Sequence, residues 1–150
     1  MEETVLCYIE KEHRYLMLLR NKKKKDINKE KYIGVGGHLE PGETKESALL
    51  REVKEETGLT LLNYQYRGRL FFINDDFQEI IHLYTSDKFI GDIIPCNEGE
   101  LHWINIDKLL DYPHWEGDEY FLKKLIDNVP YFEMTLIYSN NIFIEAKEGL

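Results

Sequence analysis

Residues 37–59 read GHLEPGETKESALLREVKEETGL, and this stretch decides the fold. From Thr44 to Thr57 the apolar positions Ala48, Leu49 and Val53 recur at helical spacing, and Gly58 supplies a C-terminal stop. The spacing predicts a helix over 44–57. On it Glu52 and Glu56 are i and i+4, and Glu52 and Glu55 are i and i+3, so three carboxylates gather on one face. Like charges that close destabilise a helix unless something neutralises them, and a hard divalent cation with oxygen ligands does so. Arg51 stands four residues before Glu55, in reach of a bidentate hold on a carboxylate. Glu43 precedes the helix, where the N-terminal dipole favours an acid, and can orient a neighbouring group. Gly37 lets backbone approach closely, so that its carbonyl can join the ligands.

Around this stretch the pattern is mostly β. Thr4–Ile9 and Tyr15–Leu19 read as a hairpin across the polar turn Glu10–His13. Tyr32–Leu39 reads as a short strand entering a glycine-rich loop. Thr60–Ile73 and Glu79–Ile90 read as long strands around Asn74–Asp76, and Leu101–Ile106 as a further strand. Asp107–Leu110 reads as a helical turn and Gly117–Asp127 as a second helix. The tail Tyr131–Ala146 reads as a hairpin turning at Ser139–Asn141. Strands with two interspersed helices predict an α+β or α/β sandwich in one domain over 1–150.

Composition narrows the function classes. The 150 residues carry a net charge of −9, which disfavours binding to duplex nucleic acid. Only Arg20–Lys31 is basic, with seven basic residues against two acidic ones. No apolar run nears the roughly 20 residues that span a bilayer, so no membrane partner is expected. The N-terminus Met1–Thr4 lacks a basic signal region, and Cys7 and Cys96 sit in no metal-ligand spacing. Both are expected to be reduced, buried thiols of a cytoplasmic protein.

Written as a pattern, residues 37–59 are G-x5-E-x7-R-E-U-x-E-E-x-G-U with U aliphatic. All nine specified positions match the box of the Nudix family, a coincidence on the order of 10⁻¹⁰ per starting position. A solvated amphipathic helix accounts for scattered Glu and Lys, but not for Gly37, Glu43, Arg51 and Gly58 in register. The resemblance implies an α/β/α sandwich with a central mixed sheet and a loop–helix–loop box that holds Mg²⁺ or Mn²⁺. It implies hydrolysis of a diphosphate bridge by a metal-activated water. Glu52, Glu55 and Glu56 then divide metal ligation and general-base work, with the base unassigned among them.

The likeness extends to the MutT-type 8-oxo-dGTP diphosphatases through YIGVGGHLEPGET, CNEGELHW and HWEGDEYF. It implies that Glu98 is a further metal carboxylate and that Trp115 and Asp118 hold a purine. Trp115 offers a stacking face and Asp118 a hydrogen-bonding carboxyl. Ile33 and Gly117 stand where the mammalian enzyme has an asparagine and a second aspartate, and His38 stands where many members have lysine and can still donate to a substrate phosphate. Arg20 is the candidate triphosphate contact, with Lys22–Lys25 as an electrostatic funnel. The implied activity is Mg²⁺-dependent conversion of a small purine nucleoside triphosphate to monophosphate and pyrophosphate, in nucleotide-pool sanitation. Nucleotide sugars, dinucleoside polyphosphates and RNA 5′-triphosphates are alternative family substrates. A non-catalytic, ligand-sensing domain is a further alternative, but such domains usually lose the box glutamates that are all present here. Monomer and homodimer both remain open.

Overall fold

The computed structural model describes residues 1–150. Strands β1 (Glu2–Lys11) and β2 (Arg14–Leu19) form the expected hairpin. They pair only beside their turn, Glu10 with Tyr15 and Lys11 with Arg14, and then diverge. Into the opening comes β4 (Val35–His38), antiparallel to β1 from Thr4 to Cys7. The preceding β3 (Tyr32–Ile33) pairs with β2 instead. The glycine-rich segment expected as a loop is therefore strand. Gly36 pairs opposite Leu6, and a Cβ on it would lie 1.8 Å from the Val5 carbonyl oxygen, so only glycine lets the strands approach.

Helix α1 (Lys45–Thr57) follows. The Thr44 hydroxyl caps it by accepting from the Ser47 N–H at 3.1 Å. Gly58 ends it in the left-handed conformation, φ 83°, where a side chain would be strained. The two long segments expected next are each broken in two: β5 (Thr60–Leu61) and β6 (Gln65–Asn74), then β7 (Phe77–Ser86) and β8 (Phe89–Ile90). The break has a local cause. Asn63 Oδ1 accepts from the Asp87 and Lys88 N–H groups and from the Ser86 hydroxyl, replacing ladder bonds. Strand β9 (Glu100–Asn105), a 3₁₀ turn (Ile106–Asp111), α2 (Asp118–Ile126) and the hairpin β10 (Phe132–Ser139) and β11 (Ile142–Glu148) complete the chain.

The main sheet runs β11-β10-β6-β7-β1-β2-β3, with β4 also on β1 and β9 also on β2. It is mixed, because β1–β7 and β6–β10 are parallel and the other pairs antiparallel. Alternation along β1 sets the layers. Val5, Cys7 and Ile9 pack toward Ala48, Leu49 and Val53 of α1. Tyr8, from the opposite face, packs with Phe121, Leu122 and Leu125 of α2. The result is an α/β/α sandwich. Both cysteines are buried and unbridged. No helix is long and apolar enough to cross a membrane.

Candidate active site

Two carboxylates of α1, Glu52 and Glu56, lie against β4, and the approach of Glu52 explains Gly37. Glu56, 7% exposed, accepts from the Gly36 N–H at 2.7 Å through Oε1. A Cβ on Gly37 would lie 2.5 Å from the Glu52 carboxyl carbon. Arg51 gathers the remaining acids. Its Nε and Nη2 donate to the two oxygens of Glu43 at 2.8 and 2.9 Å. Nη1 donates to Glu52 at 2.8 Å and to Glu55 at 3.3 Å, and Nη2 also reaches the His38 carbonyl at 3.1 Å. The bidentate partner is thus Glu43, not the Glu55 that helical spacing suggested. Helical side chains lean toward the N-terminus, which carries Arg51 back to the loop before α1. The pairing with Arg51, helped by the Glu40 N–H, holds the Glu43 carboxyl down to about 2.

Glu98, on the loop before β9, also reaches this cluster. It faces Arg20 at 3.5 Å and Lys23 at 3.2 Å and hydrogen-bonds Glu56. Burial, then Glu98, pushes the Glu56 carboxyl up. Burial raises Glu98 too, but its bond to Glu56 and the charges of Arg20 and Lys23 bring it below the usual range. Such a pair shares a proton. Glu52 is raised by burial in spite of Arg51. No three acids present their oxygens jointly as a ready cation cage. Two of them face one guanidinium, and two face each other. The donor set nonetheless fits a hard divalent ion. It is all oxygen, it carries more negative charge than Arg51 neutralises, and it holds between Glu56 and Glu98 a proton that a cation can replace.

A cleft of about 700 Å³ opens beside the cluster. Gly36, Gly37 and His38 border one end, Trp115 and Asp118 the other, and Arg20 also lines it. Half of its lining is apolar, including Phe72, Ile81 and Phe121, and Thr4, Asn74 and Glu79 add polar groups. His38 is exposed and sits 3.3 Å from Glu2. Arg20 is turned toward Asp26, to which its Nε donates at 2.7 Å. Trp115 is only 8% exposed, packs edge to face on Tyr138, and carries the Lys31 ammonium 4.6 Å from its ring centroid. Burial lifts the Asp118 carboxyl to about 7, although His114 and Lys31 pull it down. Ile33 lines the cleft with no polar group.

The lysine funnel is smaller than expected. Lys22 donates to the Cys96 carbonyl at 2.8 Å and Lys23 pairs with Glu98, so two of the four lysines anchor the Glu98 loop. Three residues escaped the sequence reading. The Gly36 N–H on Glu56 was hidden because the segment passed for a loop. Asp26 and Asn28 were masked by the lysines around them. Asp26 joins the Arg20 guanidinium to the Asn28 N–H, and Asn28 Oδ1 accepts from the Trp115 indole at 2.6 Å.

Known proteins share this fold. Residues 2–125 match the model of the NUDIX domain. An oxidized purine nucleoside triphosphate hydrolase of Danio rerio is 26% identical over 132 residues, covering 87% of this chain and 85% of its own. An uncharacterized Nudix hydrolase of Bacillus subtilis, YvcI, is 26% identical over 114 residues and covers 72% of each chain. The crystal structure of a MutT protein from Bacillus halodurans superposes with a TM-score of 0.87 at 21% identity, over 98% of this chain and 97% of that one. With the box geometry in place and the domain match over most of its length, the chain belongs to the Nudix family, hydrolases of nucleoside diphosphate derivatives.

Proposed function

We propose that this hydrolase converts oxidised purine nucleoside triphosphates, 8-oxo-dGTP foremost, to the monophosphate and pyrophosphate. The observation that carries the reading is the single cleft that begins at the box glycines and ends at Trp115 and Asp118. Its volume of about 700 Å³ and its lining suit a nucleotide with phosphates at the carboxylate end and base at the aromatic end. The Danio rerio relative, named for oxidized purine nucleoside triphosphates, supports the same substrate class.

Glu52, Glu55, Glu56 and Glu98 would hold Mg²⁺ or Mn²⁺, with the Gly37 carbonyl beside them. A bound divalent ion supplies charge neutralisation at the phosphoryl group and lowers the pKa of a coordinated water. The chain's own groups do the rest. Arg51 fixes Glu52 and Glu55, with Glu43 as its anchor. A box glutamate takes the proton of the water that attacks phosphorus, and the phosphoanhydride bond breaks to release pyrophosphate. Arg20 and His38, on the cleft wall, face the phosphates. Apolar walls exclude water from the base, and Asp118 pairs with its edge.

The test is a substrate screen with purified protein and Mg²⁺. It compares 8-oxo-dGTP, dGTP, dATP, ADP-ribose, diadenosine polyphosphates and triphosphorylated RNA. The expected order of kcat/KM puts 8-oxo-dGTP first. Preference for ADP-ribose, a dinucleoside polyphosphate or RNA overturns the assignment.

A further inference from the structure

We propose that Asn28 is a base-reading residue whose side-chain amide donates to the 6-oxo group of a guanine-type purine. The assignment rests on the purine nucleotide reading above and names the group that would select within it.

The argument begins with the indole of Trp115. An indole N–H is a donor only, so the amide atom it meets at 2.6 Å must be the oxygen of Asn28. That bond fixes which way the amide faces. Its NH₂ end makes no hydrogen bond within the protein, yet it is not among the buried unpaired polar atoms. Asn28 lines the cleft together with Trp115 and Asp118. The NH₂ group therefore stands ready as a pair of unengaged donors beside the aromatic end.

The backbone of Asn28 is equally fixed. Its N–H donates to Asp26 Oδ1 at 2.9 Å, and its carbonyl accepts from the Lys31 N–H at 2.9 Å. Asp26 is itself held by Arg20. A side chain pinned at its backbone and at one amide atom loses little entropy when the other atom binds a ligand.

The two polar groups at this end of the cleft are complementary to one edge. The guanine edge presents an acceptor, O6, followed by two donors, N1–H and N2–H₂. An amide donor on O6 and a carboxylate beneath the two donors satisfy all three. Adenine offers one donor and one acceptor there and leaves a carboxylate oxygen unpaired, which a desolvated site penalises. Ile33 and Gly117 supply no polar side chain, so this loop residue, outside every motif, provides the donor.

The test uses Asn28→Asp and Asn28→Ala in the full chain, with Mg²⁺ and three triphosphates. Asn28→Asp keeps an acceptor for the Trp115 indole and removes the donors. Asn28→Ala removes the donors without adding charge. The substrates are dGTP and dITP, which carry the 6-oxo group, and the 2-aminopurine deoxynucleoside triphosphate, which does not. Both variants are expected to lose roughly tenfold or more in kcat/KM on dGTP and dITP relative to the 2-aminopurine substrate. Equal loss on all three, or no loss, in both variants overturns the assignment of Asn28. A wild-type protein that hydrolyses neither these three nor 8-oxo-dGTP, run alongside as a control, overturns the purine reading beneath it. Circular dichroism establishes that each variant is folded, and either variant alone suffices for the ratio.

Discussion

At one end of the cleft a guanidinium binds three carboxylates and a carbonyl; at the other a carboxyl stands among apolar walls with no ion-pair partner. The box end is built from residues 36–56 and Glu98, mostly on one helix and the strand it touches. Its geometry follows from local spacing. The base end draws on residues 28, 33, 72, 115 and 118, which only the tertiary fold brings together. The contrast suits the division of labour. Phosphoryl transfer needs dense, rigid charge, whereas discrimination among bases needs a dry surface with a few aimed polar groups.

The largest effect is expected at the box. Glu56→Gln keeps an oxygen for the Gly36 N–H but removes the carboxyl that faces Glu98 and would ionise to hold a cation. Turnover should fall roughly 10²-fold or more, with the circular dichroism spectrum unchanged. The same variant should reduce the rise in melting temperature that millimolar Mg²⁺ gives the wild type, since binding to the native state alone stabilises it. Wild-type kcat in this variant at saturating Mg²⁺ would mean that Glu56 is outside the reaction.

The paired glycines sharpen the contrast between fold and chemistry. In Gly36→Ala the new methyl meets the Val5 carbonyl at 1.8 Å, and every near atom is β1 backbone that cannot swing aside. A stability loss of about 2 kcal/mol or more is expected. In Gly37→Ala the methyl meets the Glu52 carboxylate, the end of a flexible side chain. Melting temperature should change little while kcat falls, because Glu52 must move. Equal melting temperatures for the two variants would show that the β1–β4 contact is looser than described.

The same two glycines show what was readable in the sequence. The box pattern carried Glu52, Glu56, Glu43 and Arg51, because helix spacing and a nine-position match constrain one another. The hairpin, both helices and the sandwich followed from periodicity. That Gly36 and Gly37 are strand did not, since glycine has low strand propensity and only the approach of Val5 and Glu52 demands it. Arg51's choice of Glu43 over Glu55 was hidden in the lean of a side chain. Asn28 lay in a stretch whose charge dominated any reading, and its partner is 87 residues away.

A smaller effect is expected for Trp115. Trp115→Ala should raise KM for purine triphosphates about tenfold and leave kcat nearly unchanged, since stacking acts on ground and transition states alike. Steady-state kinetics on 8-oxo-dGTP and dGTP decide it. A fall in kcat with constant KM would move Trp115 from the base toward the reacting phosphorus. Because Lys31 lies over the ring, Lys31→Met should change KM in the opposite direction or not at all.

The smallest effect concerns Asp118, and its sign can be worked out. Burial raises this carboxyl from 3.8 to about 7, with Glu119 adding to the rise and His114 and Lys31 opposing it. A carboxyl raised in the folded state binds its proton more tightly there than in the unfolded chain. Its stabilising contribution is complete below 3.8 and is lost as pH rises toward 7, above which the loss is constant. Asp118→Asn does not titrate. The variant's melting temperature minus that of wild type should therefore climb between pH 4 and 7 and then level off. Taking the difference removes the titration of Glu56 and Glu98, which both proteins share. A flat difference across this window would mean that the Asp118 carboxyl ionises as it does in water, and the two ends of the cleft would then be equally wet. A climbing one would also predict that Asp118 donates to a base in acid and accepts from it in alkali. Selectivity between dGTP and dATP in the wild type should then shift through the same pH range and stay constant in Asp118→Asn.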